Sequence, residues 1–281
     1  MMKIALIGAG TMGAGIAQIA AEAGYDVNLM DIKDEYVEKG IGTIKRFIGR
    51  KLEKEKITKE QHDDILGRIN GTTEIKDAVE GVQMVIEAAP EKMDIKKELF
   101  KKMGELCEKN VILSSNTSTL SITEIASSTR YPERVVGTHF FNPVPLMRLV
   151  EVVKGDKTEA AIVKKAADFC EGAGKTPIIV KDVPGFIVNR FLCLLYNEGA
   201  YQVQDQIASN EDIDKGLKLG ANHPMGILEL MDVVGIDIVY YALQSLWEST
   251  KEERYKPCPL LREMLDSNRL GRKTGEGFYT Y

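Results

Sequence analysis

Two rhythms alternate along the first 180 or so residues. Short apolar runs, "IALI" at 4–7, "VQMVIEAA" at 82–89, "NVILSSN" at 110–116, "RVVGTHFF" at 134–141 and "TPIIV" at 176–180, read as buried strands. Between them lie stretches with apolar residues three and four apart, such as "KMDIKKELFKKMGELC" at 92–107, which read as helices with one buried face. A capping box at Ser121 and Glu124 opens a further helix. After "RVVGTHFF" and the turn "NPVP", the run "LMRLVEVV" at 146–153 reads as a strand returning alongside. This alternation predicts an α/β fold, a Rossmann-type doubly wound sheet with extra strands at one end.

One segment departs from that rhythm. In "EYVEKGIGTIKRFIGRKLEKEKI" apolar residues fall at 37, 41, 44, 48 and 52, and "TKEQ" at 58–61 is a capping box opening a second helix, "HDDILGRI". The spacing predicts a protruding helix pair inserted into the sheet, with Lys51, Lys54 and Lys56 either meeting a phosphorylated ligand or forming a solvated face. Beyond Pro184 and Gly185 the pattern is helical almost to the end, with one long apolar run from Leu228 to Trp247. The expected boundary is near residue 183, giving a nucleotide-binding domain over 1–183 and an all-α substrate and dimerisation domain over 184–281. So much apolar periodicity in about 100 residues points to burial against a second copy, a homodimer.

The first βαβ unit carries the clearest chemistry. In "KIALIGAGTMGAGIAQIAAEAGYDVNLMD" a strand runs into Gly8, Gly10 and Gly13, an alanine-rich helix follows, and a second strand ends at Asp31, 18 residues after Gly13. Gly8 permits the tight turn, Gly10 lets the backbone approach a pyrophosphate and Gly13 lets helix and strand pack closely. The helix start, with Thr11 and Met12, presents N–H groups to the anion. Asp31 would accept hydrogen bonds from the adenosine ribose and repel a 2′-phosphate, which favours NAD over NADP, although Lys33 keeps NADP open.

The totals narrow the partners. A net charge of -5 argues against a surface built for nucleic acid. The four cysteines, at 107, 170, 193 and 258, are too far apart for a CxxC pair or a zinc knuckle, and no metal site is expected. They read as reduced core thiols of a cytoplasmic protein. No run approaches the roughly 20 apolar residues of a membrane span, and the N-terminal apolar run is broken by glycines too early for a signal peptide.

Of three histidines, His139 lies at the carboxyl edge of the same sheet, where ligands of open α/β folds collect. A hydride leaves a secondary alcohol only as the hydroxyl proton is removed, and a histidine is suited to take that proton. Such a base needs an orienting partner, and Glu151, 12 residues on in the returning strand, would face the imidazole across a hairpin. The bland alternative is a structural histidine beside a surface glutamate. His62 reads as a solvated residue and His223 as part of a proline turn.

The ordered motifs "IGAGTMGAGIA", "SSNTSTL", "GTHFFNPVP", "LVEVV", "PGFIVNR", "GANHPMG" and "LGRKTGEGFYTY" resemble the 3-hydroxyacyl-CoA dehydrogenase family across nearly the whole chain. They are most similar to its short-chain bacterial members, which act on 3-hydroxybutyryl-CoA in fatty-acid and butanoate metabolism. The resemblance implies reversible NAD(H)-dependent oxidation of an (S)-3-hydroxyacyl-CoA by a homodimer. It makes His139 the catalytic base and Glu151 its partner. It assigns Ser118 to the reacting oxygen, Asn142 to positioning substrate and cofactor, and Asn189 to the second-domain side of the reaction. Glu91, Lys96 and Asn116 join the glycine turn and Asp31 as cofactor-binding residues, and Lys51 and Lys54 join Ser118, Asn142 and Asn189 as substrate-binding residues.

Two positions depart from the family pattern. Pro90 precedes Glu91 where a small residue with a backbone N–H is expected, and Ile227 replaces the proline usual after "HPMG". Two rival readings remain: a sugar-acid or free hydroxy-acid dehydrogenase of the same superfamily, and a non-catalytic nucleotide-binding relative. The lysine-bearing helix pair argues against the first, and the intact set Ser118, His139, Glu151 and Asn189 against the second.

Overall fold

The computed structural model describes residues 2–281. The chain divides into two compact units, one ending at Val183 and the other starting at Pro184. In the first, β1 (Lys3–Ile7) enters α1 (Thr11–Glu22) and returns through β2 (Asp26–Met30), followed by α2 (Asp34–Glu53) and α3 (Lys59–Gly67). Next come β3 (Ile69–Thr72), α4 (Ile75–Val79), β4 (Met84–Glu87), α5 (Met93–Leu106), β5 (Ile112–Ser115) and α6 (Ile122–Ala126). β6 (Val135–Phe140), β7 (Leu149–Lys154), α7 (Ala160–Gly172) and β8 (Thr176–Lys181) complete it.

These strands form one sheet in the order β3-β2-β1-β4-β5-β6-β7-β8. All neighbours are parallel except β6 and β7, which run antiparallel. The chain winds outward from β1 to β3, then crosses back to β4 on the other side of β1, so the order reverses between β1 and β4. That reversal opens a crevice at the carboxyl ends of the two strands. Strand residues Ile4, Leu6, Val27, Leu29, Ile86, Val150 and Val152 are fully buried in one apolar layer with residues of α1, α2 and α7. Their neighbours Ala5, Val85 and Leu113 are equally buried, while α4 lies against β1, α5 against β5 and α6 against β6. A sheet covered on both faces explains why its strands read as unbroken apolar runs.

The doubly wound α/β reading is correct, but several local expectations are not. The second helix of the pair stops at Gly67, and Ile69–Thr72 pairs with β2 as the edge strand β3. "INGT" carries one apolar residue, so neither period reveals it. The pair does not stand clear of the sheet: Ile44 and Ile48 of α2 are fully buried, and α2 packs on α1 and β3, making it the crossover between β2 and β3. "LMRLVEVV" becomes strand only from Leu149, because Leu146 and Met147 lie exposed in the preceding loop. His62 is half-buried rather than solvated, its Nδ1 2.8 Å from Asp63 Oδ1. Thr58 and Gln61 form the full reciprocal capping box, whereas only the Ser121 half of the second box forms, since Glu124 pairs with Lys97 instead.

The second unit is helical: α8 (Val188–Gln204), α9 (Asn210–Gly220), α10 (Ile227–Val234), α11 (Ile236–Thr250) and α12 (Pro259–Asp266). The long apolar run from Leu228 to Trp247 spans two helices, with the break at Gly235, whose φ of 108° lies outside the helical range. Two buried aspartates stitch the unit together. Asp214 of α9 accepts the Leu228 and Glu229 N–H groups at 2.8 and 3.0 Å and so caps α10. A Cβ on Gly226 would lie 2.1 Å from the Asp214 side chain, so the cap requires glycine there. Asp232 accepts the Phe278 and Tyr279 N–H groups at 2.9 and 3.0 Å, which anchors the C-terminal segment. Ile227, the departure from the family pattern, is buried at the start of α10 in this core.

Candidate active site

The glycine turn sits at the mouth of the crevice. Gly8 has φ +109°, and a Cβ there would lie 2.6 Å from the Ala88 carbonyl oxygen. A Cβ on Gly13 would lie 1.8 Å from the Gly8 carbonyl oxygen, so neither position tolerates a side chain. Gly10 differs: nothing lies within 4 Å of a Cβ built on it, so the space beside its backbone is open. Gly10 is also the N-cap of α1, where no side chain caps the helix and no acidic residue occupies the first turn with Thr11 and Met12. That end therefore presents donors and the positive end of the helix dipole to an anion. Asp31 closes β2, its Oδ2 accepting the Ala9 N–H at 2.8 Å and its Oδ1 the Ile32 N–H at 2.7 Å. The carboxylate is thus tied to the glycine turn. Lys33 is drawn towards Glu35, at 3.4 Å, and lies over the Tyr36 ring. An open cradle at a helix start with a fixed carboxylate beside it fits a dinucleotide.

Farther along the same sheet edge, His139 of β6 and Glu151 of β7 are partners in the antiparallel register. Residues directly opposite in such a pair point to one face, so the side chains meet. His139 Nδ1 lies 2.7 Å from Glu151 Oε2, with the two residues 4% and 0% exposed. The Phe141 ring is tilted against the imidazole, with centroids 4.5 Å apart. A fully buried carboxylate is costly without a compensating donor, and the imidazole N–H supplies one. β5 is the parallel neighbour of β6, and Asn116, just past its end, accepts the Phe140 N–H at 2.9 Å. This bond ties the 116–120 loop to the histidine strand. Asn116 is thereby a brace between strands, a role its expected cofactor contact does not describe.

Ser118 lies in that loop, held by Glu91. Glu91 Oε1 accepts the Thr117 hydroxyl at 2.6 Å, the Ser118 N–H at 2.8 Å and the Thr119 N–H at 3.0 Å. Burial works to raise the Glu91 pKa, but the Lys96 ammonium and these hydrogen bonds outweigh it and hold the carboxyl below its ordinary value. Lys96 is 1% exposed. Its Nζ is 2.7 Å from Glu87 Oε1 and 3.4 Å from Glu91 Oε2, so this cation bridges two carboxylates beneath the loop. Glu87 also accepts the Ser115 hydroxyl at 2.6 Å and the Ala89 N–H at 2.6 Å. Pro90, the other departure from the family pattern, leaves Glu91 in contact with the loop.

The remaining expected residues lie on other elements. Asn142 is exposed just past β6, before a cis peptide bond to Pro143. Asn189 lies in the first turn of α8 in the second unit. Lys51 is 2.6 Å from Glu22 at the end of α1, and Lys54 is the C-cap of α2. Sequence reasoning missed Glu87, the one charged residue inside the apolar run "VIEAA" at the carboxyl edge. It also missed Asp182, which binds the start of α6. A lone acid in a buried strand was a usable signal for Glu87, whereas nothing in the local pattern marks Asp182. Among the described residues no group of three or more His, Cys, Asp or Glu side chains could hold a metal, and no helix is long and apolar enough to cross a membrane.

Comparison with known proteins adds a second line. Residues 3–183 match the family described as 3-hydroxyacyl-CoA dehydrogenase, NAD binding domain, and residues 185–281 match 3-hydroxyacyl-CoA dehydrogenase, C-terminal domain. A probable 3-hydroxybutyryl-CoA dehydrogenase of Deinococcus radiodurans is 43% identical over 280 residues, covering 100% of both chains. The 3-hydroxybutyryl-CoA dehydrogenase of Clostridioides difficile is 43% identical over 280 residues, covering 100% of this chain and 99% of its own. The crystal structure of (S)-3-hydroxybutyryl-CoA dehydrogenase from Ralstonia eutropha is similar with a TM-score of 0.98 at 42% identity, covering 100% of this chain and 99% of that one.

Proposed function

This chain belongs to the 3-hydroxyacyl-CoA dehydrogenase family and is an NAD-dependent oxidoreductase; from that premise we propose that it interconverts (S)-3-hydroxybutyryl-CoA and acetoacetyl-CoA. The observation that carries the reading is the buried His139–Glu151 pair, 2.7 Å apart, on the sheet edge that also bears the dinucleotide cradle. NAD, when bound, supplies the acceptor for the hydrogen leaving C3 of the substrate. Gly8, Gly10 and Gly13 with the start of α1 hold its pyrophosphate, and Asp31 its adenosine ribose. Asp31 also disfavours a 2′-phosphate, so NADH is used in preference to NADPH.

His139 takes the proton of the 3-hydroxyl. Because Glu151 engages Nδ1, the neutral ring carries its proton there and the exchange falls to Nε2. As Nε2 gains the proton, the ring becomes an imidazolium, and the Glu151 carboxylate stabilises that charge at close range in a low-dielectric site. In the reverse direction the same proton returns to the alkoxide oxygen. Ser118 donates to that oxygen as negative charge develops, and Asn142 orients substrate and cofactor beside it; both are neutral donors that do not compete as bases. Asn189 is assigned to the same reaction on family resemblance. Lys51 and Lys54, on the last turn and C-cap of α2, are candidates for the phosphate groups of coenzyme A.

We also assign a homodimer through the second unit. Leu219 at the end of α9 and Ile207 before it are 80% and 68% exposed. Their chain neighbours Ala208 and Gly220 line a groove of about 370 Å³ together with Leu195, Gly199, Ile213 and Leu217. Apolar side chains beside an apolar groove on one unit are suited to a self-complementary contact.

The test is NADH consumption by the purified protein with acetoacetyl-CoA, run beside NADPH and beside free acetoacetate. Turnover with the thioester and NADH is expected. NADH consumption with free acetoacetate but not with the thioester would move the enzyme to the free hydroxy-acid or sugar-acid reading, and bound cofactor with no turnover would indicate a non-catalytic relative.

A further inference from the structure

Ser118 lies between β5 and α6, and two carboxylates hold the segment around it from opposite ends. Upstream, Glu91 binds residues 117–119, as described above. Downstream, Asp182 binds residues 121–123. Its Oδ2 accepts the Ser121 hydroxyl and the Thr123 N–H, each at 2.7 Å, and its Oδ1 accepts the Ile122 N–H at 3.0 Å. All three donors are about 60 residues away in sequence, so these contacts owe nothing to local helix formation. Ser121 already caps α6 by accepting the Glu124 N–H, so Asp182 is a second, non-local cap. The aspartate is itself anchored, its N–H donating to the Lys154 carbonyl oxygen at 3.2 Å, and the Thr123 hydroxyl accepts the Asp156 N–H at 3.0 Å. Asp182 follows β8 directly and precedes Val183, the last residue of the first unit.

We propose that Asp182 is a positioning residue for the reaction, acting through the Ser118 loop and linking that loop to the point where the chain leaves the first unit. The inference rests on the role proposed above for Ser118. A donor aimed at a developing alkoxide works only at the right distance, and a displacement of about 1 Å at a reacting group can cost on the order of 100-fold in rate. Glu91 fixes the upstream end of the loop, at Thr117, Ser118 and Thr119. With Asp182 as well, the loop is held across its span, from residue 117 to residue 123. A charged acceptor taking three donors holds that end more firmly than water would.

The experiment is a double-mutant cycle on the full chain, comparing Asp182→Ala and Asp182→Asn with and without Ser118→Ala, reading kcat and KM with acetoacetyl-CoA and NADH. Asp182→Ala is expected to lower kcat about 10-fold, with the KM for NADH within about two-fold of the parent, and Asp182→Asn, which keeps one acceptor, to recover part of the loss. In the Ser118→Ala background the same change is expected to alter kcat by less than about two-fold, because the group being positioned is gone. An equal loss in both backgrounds would mean a general structural role and overturn the proposal, as would parental kcat in both Asp182 variants. Amide exchange tests the tether separately, and the Asn variant serves if the Ala variant does not fold. Faster exchange at Ile122 and Thr123, with β6 unchanged, is expected, whereas unchanged exchange there would refute the tether. Parental kcat in Ser118→Ala would instead withdraw Ser118 from the reaction and the catalytic half of this inference with it, an outcome distinct from failure of the tether.

Discussion

At the scale of single residues, chemistry here depends on which polar groups are buried with a partner. His139 and Glu151 are both buried and meet at 2.7 Å, so neither is solvated and each sets the other's orientation. Replacing His139 with Ala is expected to lower kcat by ~10² to 10⁴, the scale of losing a general base, with a smaller effect on NADH binding; steady-state kinetics alongside cofactor titration checks this. Glu151→Gln is expected to slow kcat as well, because the imidazolium loses its counter-charge. The four cysteines are buried as well, and the Cys258 thiol donates to Gln204 Oε1 at 3.3 Å. Burial pushes the Cys107 thiol up to about 11, despite the opposing charge of Arg134, and the Cys170 and Cys193 thiols up to about 12. Cys258 is also raised, first by burial. A thiol whose pKa lies that far above the working pH holds almost no reactive thiolate. Titration of the native protein with a disulfide reagent at pH 8 is therefore expected to be slow at all four positions and rapid after unfolding, and one fast native thiol would contradict this.

Among the elements, the largest differences from pattern reasoning fall where tertiary contacts override local rhythm. The apolar stripe of α2 was legible, and so was the Thr58 capping box. The strand β3 was not, because an edge strand with a single apolar residue shows neither alternation nor a continuous run. The break between α10 and α11 was hidden for the opposite reason, since apolar residues continue across it. Gly235 makes the break, with φ 108° and ψ 127° where an L-residue is strained. Its missing Cβ would also lie 2.8 Å from Asp237 Oδ1 and 2.9 Å from Lys273 Nζ. Gly235→Ala is expected to destabilise the second unit by more than about 1 kcal/mol, measured as a lower denaturation midpoint with unchanged slope. A midpoint equal to the parent's would show that the backbone there relaxes freely.

For the whole molecule, the prediction concerns assembly. Leu219→Asp combined with Ile207→Asp places two charges on the exposed apolar surface of the second unit. Light scattering coupled to size exclusion is expected to report a dimer for the parent and a monomer for the double variant, since burying unpaired carboxylates in an apolar contact is costly. A parent that is monomeric across the accessible concentration range, or a variant that remains dimeric, would place assembly elsewhere or remove it.

The sequence by itself determined most of the alternation of strands and helices in the doubly wound unit, without β3 and α4, together with the glycine turn with its terminal acid and the change of composition around Pro184. Each of these is written in local spacing, in glycines such as Gly8 and Gly13 that no side chain can replace, or in periodicity over a few turns. It also offered His139 and Glu151 as a pair, because a hairpin register can be counted. Only the tertiary structure decided which distant groups meet. Glu87 and Lys96 form a buried ion pair that extends to the exposed Glu91 at the Ser118 loop, and Asp182 reaches the start of α6 from about 60 residues away. Such contacts arise from strand order in the sheet, which brings together chain segments whose separation carries no periodic signal. The same holds for Asp214 and Asp232, whose side chains became caps and anchors only once α9, α10 and the C-terminal segment had packed.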